Sequence, residues 1–153
     1  MVVLLVDDEK TCLLDVSESL TPTGWDIIAT TSPLEAFEIY KSNKIDVVIS
    51  DIRMPEMNGI QLLKLIKDYD KNSRVIIITA YGDLDTAKNA INNHAYAFFG
   101  KPINFSDLIS TLQVIEKEIS ENNELSVDFV KLKEEHTNLK SAYKDLLKLI
   151  KDI

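Results

Sequence analysis

Five polar residues stand at the ends of apolar runs, and their types suggest phosphoryl chemistry. Asp7 and Asp8 follow the run Val2 to Val6. Asp51 closes the run that starts at Ile45, Thr79 closes RVIIIT (74–79), and Lys101 comes just after the run 95–99. Each has an ordinary reading by itself: acids after a strand are turn or cap residues, a strand-end Thr is a β-former, and a Lys before Pro is surface. Together they make a set. Three clustered carboxylates repel one another and call for a cation or a proton. Mg²⁺ suits them because it uses one or two carboxylates, keeps water and accepts phosphate oxygens; Mn²⁺ is the alternative ion. No His or Cys lies within the motif to favour zinc. A cation beside Asp51, with Lys101 and Thr79 opposite, makes a receptacle for a phosphoryl group that the Asp51 carboxylate can attack in line.

These residues meet only if the fold brings the run ends to one edge. The runs 2–6, 45–50 and 74–79 are nearly continuous in Val, Ile and Leu, as in strands buried on both faces of a parallel sheet. Trp25 to Thr30 and Ala95 to Phe99 read as two further strands. Helical patterns alternate with them. Leu13, Val16 and Leu20 share one face before the Pro22 and Gly24 breaks. Ser32-Pro33-Leu34-Glu35 reads as a cap, a first-turn proline and a capping-box acid, ahead of Phe37 and Tyr40. Asn58 caps a helix starting near Gly59, with Gln61 three residues on and Leu62, Leu65 or Ile66, and Tyr69 inward. Asp83 caps a short helix to about Ile91, and Leu108, Leu112, Ile115 and Ile119 mark a last helix. Five strand–helix repeats predict an α/β fold: a doubly wound five-stranded parallel sheet with helices on both faces. All C-terminal strand edges then lie on one side, where open α/β sheets bind ligands.

Bulk properties limit the function classes. The chain has 153 residues and a net charge of −8, which argues against direct nucleic-acid binding. No apolar run approaches the roughly 20 residues of a membrane span. The chain enters a strand directly after Met1, so no signal peptide is expected. Cys12 is the single cysteine, which excludes an internal disulfide and fits a reducing cytoplasm. Residues 1–119 hold 18 acids and 11 bases, and residues 120–153 hold 7 and 6; the boundary near residue 120 separates two parts of different character.

In their order and spacing, the acid pair Asp7-Asp8, Asp51 within DIRMPEMNG, Thr79-Ala80, Phe98 and Lys101-Pro102 resemble the receiver domain of two-component response regulators over residues 1–119. ITAYGDLDTA (78–87) is similar to receivers of enhancer-binding transcription activators. The resemblance implies a flavodoxin-like sheet of order 2-1-3-4-5, and a histidine kinase or phosphotransfer protein as the phosphoryl donor to Asp51. It implies that Asp8, Asp51 and the Arg53 carbonyl bind the metal directly and Asp7 through water. Lys101 then pairs with the phosphoryl group, the Lys101–Pro102 peptide is cis, and Thr79 and Phe98 form the coupled switch. His94 stands where the family usually has Gly, which raises the expectation of a positive φ at a residue type that is among the more tolerant non-Gly ones but still costs energy there. Gly100 before Lys101 is a second departure. Arg53 and Tyr81 hold positions that influence phosphate lifetime in the family; both are bulky, and slow self-dephosphorylation is expected.

The tail carries a separate pattern. Leu125, Leu132, Leu139, Leu146 and Ile153 occupy d positions, and Phe129, His136, Tyr143 and Ile150 occupy a positions, over about four heptads. Asp128 and Glu135 at g precede Lys133 and Lys140 at e by five residues, the attractive arrangement of a parallel dimer. A helix packed back on the rest of the chain is the plainer alternative. Ala142, Leu147 and Leu149 widen the stripe, Asn122-Asn123 marks a candidate kink, and His136 is read as a register-setting polar residue whose protonation weakens pairing. The chain stops in mid-heptad, as a piece of a longer protein would.

The expected function is a phosphorylation-switched receiver, a signalling module whose output is conformational change and homodimerisation. An aspartyl-phosphate phosphatase is disfavoured because Arg53 stands where such enzymes place a second acid. A phosphate-independent dimerising scaffold is the other alternative.

Overall fold

The computed structural model describes residues 1–80 and 84–151, with side chains described up to residue 148. Two compact units divide within the last helix, the first ending at Ser110 and the second starting at Thr111.

The first unit holds β1 (Val2–Val6), α1 (Lys10–Leu20), β2 (Asp26–Thr30), α2 (Pro33–Ser42), β3 (Val47–Asp51), α3 (Gly59–Tyr69), β4 (Val75–Thr79), α4 (Leu84–Asn92) and β5 (Ala97–Gly100). The strands form one parallel sheet in the order β2-β1-β3-β4-β5, the order the resemblance implied. β3 and β4 are buried at every position, which explains their unbroken apolar runs. Two polar residues in β3's run have partners. Asp46, just before the strand, accepts from the Val2 N–H at 2.7 Å and ties the chain start to the sheet. Ser50 donates to the Asp51 carbonyl at 2.8 Å. On one sheet face, Leu4, Val6, Val48 and Ile77 pack with Ala36, Leu62, Leu63 and Ile66 from the helices.

Local sequence sets the helix starts. Asn58 and Gln61 form a reciprocal capping box at α3. Ser32 caps α2 through the Glu35 N–H at 3.2 Å. The Glu35 carboxylate does not close the box expected there; it accepts from the Thr30 hydroxyl, and the Ser32 N–H donates to Thr30 Oγ1 instead. On α3 the inward residues are Leu62, Leu63 and Ile66, and Tyr69 is 58% exposed. The expected inward Tyr69 is therefore corrected: it lies edge-on to Phe37 and Tyr40, whose hydroxyl donates to Asp70. Asp83, the expected cap of α4, lies outside the described residues.

α5 (Phe105–Lys151) begins at Asn104, whose side-chain oxygen accepts from the Ser106 N–H at 3.1 Å. Leu108 is buried in the first unit. In the second unit the helix is continuous through Asn122 and Asn123, the candidate kink. The reason is local: no Gly or Pro occurs between 105 and 151. Asn lowers helix propensity by well under 1 kcal/mol and keeps its backbone donor. Leu112 and Ile115 are buried, whereas Leu125, Phe129, Leu132, Leu139, Tyr143 and Leu146 are exposed.

Candidate functional site

The parallel register brings the polar strand ends together. β1 ends at Val6, and the Asp7 N–H continues its ladder to the Thr30 carbonyl. Asp51 is the last residue of β3 and is level with Ile78 of β4, one residue before Thr79. Thr79 is level with Gly100 of β5, and the Lys101 N–H donates to the Thr79 carbonyl at 2.9 Å. Ligand oxygens of Asp7, Asp8 and Asp51 come within 4.8 Å of one another. Lys101 Nζ reaches into the same cup, 2.9 Å from Asp7 Oδ2 and 3.5 Å from Asp51 Oδ1. Asp7 and Asp51 are buried and Asp8 is exposed, so the cup opens to solvent on the Asp8 side.

Charge and burial oppose each other here. Burial pushes the Asp51 carboxyl above its ordinary range and the Asp7 charge adds to this, while Lys101 pulls it back. For Lys101, burial disfavours the ammonium, but the hydrogen bond to Asp7 and the charges of Asp51 and Asp7 outweigh it and hold the group protonated. One ammonium faces three carboxylates, so the cup has an unmet demand for positive charge. The donors are hard carboxylate oxygens, open on one side, and they fit a Mg²⁺-type ion. A cavity of about 20 Å³, with room for one water, is lined by Asp7, Asp51, Lys101 and Cys12 together with apolar residues such as Leu5 and Ile49.

Backbone geometry around Asp51 adds a requirement that the motif reading missed. A Cβ built on Gly59 would lie 2.1 Å from the Asp51 carbonyl oxygen. The Gly59 N–H donates to the Ile52 carbonyl at 2.8 Å, so the start of α3 is pressed against the end of β3. Only a residue without a side chain allows this approach. Its sequence signal was the Asn58-Gly59 pair, read there only as a helix cap and start. Between them, Glu56 has φ +69° and lies inside a three-residue turn closed by Met57 N–H to the Pro55 carbonyl at 2.8 Å. Cys12 was also missed. Its thiol donates to Glu9 at 3.5 Å, and Lys101 Nζ lies 3.8 Å from Sγ. Its position in the first turn after the acid pair was the available clue.

The other singled-out residues fall as follows. Phe98 is partly buried against the core, Ala80 and Arg53 are exposed, and the Lys101–Pro102 peptide is cis. His94 has φ +63°. It ends α4 as the left-handed residue of a Schellman turn, with His94 N–H bonded to Ile91 O and Ala95 N–H to Ala90 O. At Gly100 φ is not positive and a Cβ would meet nothing within 4 Å, so that glycine is not required sterically. The tail row, including His136, is exposed along its described length; Tyr81, Ile153 and the side chains of Leu149 and Ile150 lie outside the described residues.

Comparison with known proteins agrees with this architecture. The family model for the response regulator receiver domain matches residues 3–113. The chemotaxis protein CheY of Thermotoga maritima is 35% identical over 116 residues, covering 75% of this chain and 97% of that protein. The DNA-binding transcriptional regulator NtrC of Proteus hauseri is 36% identical over 122 residues, which is 80% of this chain but 25% of that protein. This chain therefore spans about a quarter of that longer relative. Among solved structures, the CheX–CheY–BeF₃–Mg²⁺ complex from Borrelia burgdorferi aligns with a TM-score of 0.71 at 34% identity, over 75% of this chain and 88% of that one. With its sheet order, its acidic cup and residues 3–113 matched, the chain belongs to the response regulator receiver family of two-component signalling, and its last helix runs on beyond the matched region.

Proposed function

We propose that this receiver is switched by transfer of a phosphoryl group from the histidine of a kinase or phosphotransfer protein to Asp51. The observation that carries this reading is the convergence of Asp7, Asp8 and Asp51 within 4.8 Å, with Lys101 Nζ at 2.9 and 3.5 Å from two of them. An Asp51 oxygen attacks phosphorus as the imidazole nitrogen leaves, and an aspartyl phosphate forms. Asp8, Asp51 and the Arg53 carbonyl would hold Mg²⁺, with Asp7 acting through water. When bound, the ion neutralises charge on the transferring phosphoryl oxygens. The Borrelia complex, a CheX–CheY–BeF₃–Mg²⁺ assembly, supports that choice of ion by likeness. Lys101 moves from its carboxylate partners to a phosphoryl oxygen. Thr79 donates its hydroxyl to another, and the partly buried Phe98 turns into the space behind it. The aspartyl phosphate then hydrolyses slowly, with the bulky Arg53 beside it.

Residues 1–119 act as the receiver, and residues 120–153 as a helix that pairs with a second copy in a parallel coiled coil. The exposed Leu125, Phe129, Leu132, His136, Leu139, Tyr143 and Leu146 form the seam, continued in sequence by Ile150. Ion and kinase engage the cup, and the output is a binding event at the switch surface and the tail. Typical couplings between such sites are about 1–3 kcal/mol.

The test is incubation with acetyl phosphate and Mg²⁺, read by intact mass, alongside beryllofluoride titration read by light scattering. The single tryptophan, Trp25, directly precedes β2 at the N-terminal end of the parallel strands, opposite the cup at their C-terminal ends, so mass is the more direct readout. A phosphoryl adduct that disappears in Asp51→Asn is expected. A folded protein that takes no phosphoryl group would leave a phosphate-independent scaffold as the function.

A further inference from the structure

The tail's apolar row has one polar layer. His136 takes an a position between the Leu132 and Leu139 layers, with Glu135 at the adjoining g position, and both side chains are exposed in the single chain. What they meet depends on orientation. In a parallel, in-register pair, Asp128 and Glu135 of one copy face Lys133 and Lys140 of the other. The antiparallel arrangement that matches a with d layers sets Lys133 against Lys140 of the second copy and gives the acids no cation. Charge complementarity therefore selects the parallel pair, the pairing already proposed, on which this inference rests.

That register stacks the two His136 residues in one layer. Each is a knob in a hole bordered by Glu135 of the second copy. Two neutral imidazoles enclosed by leucine layers have one donor and one acceptor each and cannot satisfy both between themselves. Such unpaired polar groups are costly to bury. Two imidazole nitrogens and two carboxylate oxygens are also the donor set of a four-coordinate borderline cation, and not of Mg²⁺, which prefers oxygen alone. Recruiting Glu135 gives up its exposed ion pair with Lys140 and leaves Asp128 with Lys133 to hold the orientation. We infer that the paired tails bind a zinc-class divalent cation between the two copies of His136 and Glu135, clamping the dimer in parallel register.

The experiment uses the whole chain, stripped with chelator and kept in excess Mg²⁺ so that the acidic cup does not compete. Dimer dissociation is measured by sedimentation with and without Zn²⁺, and Co²⁺ absorption reports the coordination. Zinc at about ten times its dissociation constant is expected to tighten the dimer about tenfold, and cobalt to give the visible band of a four-coordinate site. His136→Asn, which keeps a polar core layer, is expected to lose both effects, and Glu135→Gln to weaken them. A dimer with the same dissociation constant in both conditions overturns the inference, as does an equal zinc effect in His136→Asn. A chain that stays monomeric throughout overturns the pairing itself, and the cation site falls with it.

Discussion

In the acidic cup, Asp7 and Lys101 meet at 2.9 Å across 94 positions of sequence. Along the tail, the hydroxyls of Ser126 and Thr137 reach carbonyls only three or four residues back. The cup is built by one chain, with Asp7 and Asp51 buried and paired to Lys101, and Asp8 exposed. The tail presents Leu139 at 71% and Phe129 at 68% exposure. A contiguous apolar row of this kind marks an interaction surface. The cup thus has more negative than positive charge, and the tail has apolar area without cover. The first calls for a cation, the second for an apolar surface. The two regions should therefore fail independently under mutation, and several substitutions put this to work.

The largest effect is expected at Gly59. Gly59→Ala drives a methyl into the Asp51 carbonyl, so β3 and α3 must separate. Overpacking of this kind typically costs about 1–3 kcal/mol. Thermal unfolding should show that loss, and the phosphoryl adduct should fall with it while tail pairing survives. In the other direction, Leu139→Glu should abolish dimerisation in light scattering. It should leave the unfolding of the receiver within about 0.5 kcal/mol, because the side chain is exposed in the single chain. Loss of receiver stability in this variant would break the comparison.

Asp51→Asn sharpens it further. The folded-state pKa of Asp51 is raised by burial, so the folded chain binds this proton more tightly than the unfolded one. Stability from this group is fully present below the unfolded pKa and is lost as pH rises through the folded value. Without divalent ions, the amide variant should therefore be more stable than wild type at pH 7. The gain should vanish in acid, below the ordinary carboxylate range; a gain that persists there would mean that repulsion in the cup is not its source. Added Mg²⁺ should stabilise wild type more than the variant.

His94→Gly should give the smallest effect. Relieving a left-handed histidine at the end of α4 should add about 1 kcal/mol or less. Neither phosphoryl acceptance nor dimerisation should change.

Much of this was legible before any coordinates. The runs 2–6, 45–50 and 74–79 declare buried parallel strands, because only a sheet covered on both faces tolerates such unbroken hydrophobicity. Their polar ends then have to share an edge. The helix caps at Ser32 and Asn58 could be read because a cap is a local hydrogen bond. The inward face of α3 was less readable. Leu62, Leu63, Leu65, Ile66 and Tyr69 offer more apolar positions than one face can bury, and packing against β3 and α2 decides which turn outward. Glu35 was misassigned for a similar reason: its competing partner, Thr30, belongs to the preceding strand end.

The amino-acid sequence by itself determined the strand–helix alternation, the cup's chemical types and the heptad register of the tail. Each of these depends on periodicity and residue chemistry within a short window. Tertiary structure alone decided the distances at which Lys101 serves both Asp7 and Asp51, the contact that makes Gly59 indispensable, and the place of Cys12 beside the lysine. Those depend on how crossovers and sheet twist bring distant segments together, and no local pattern carries that information.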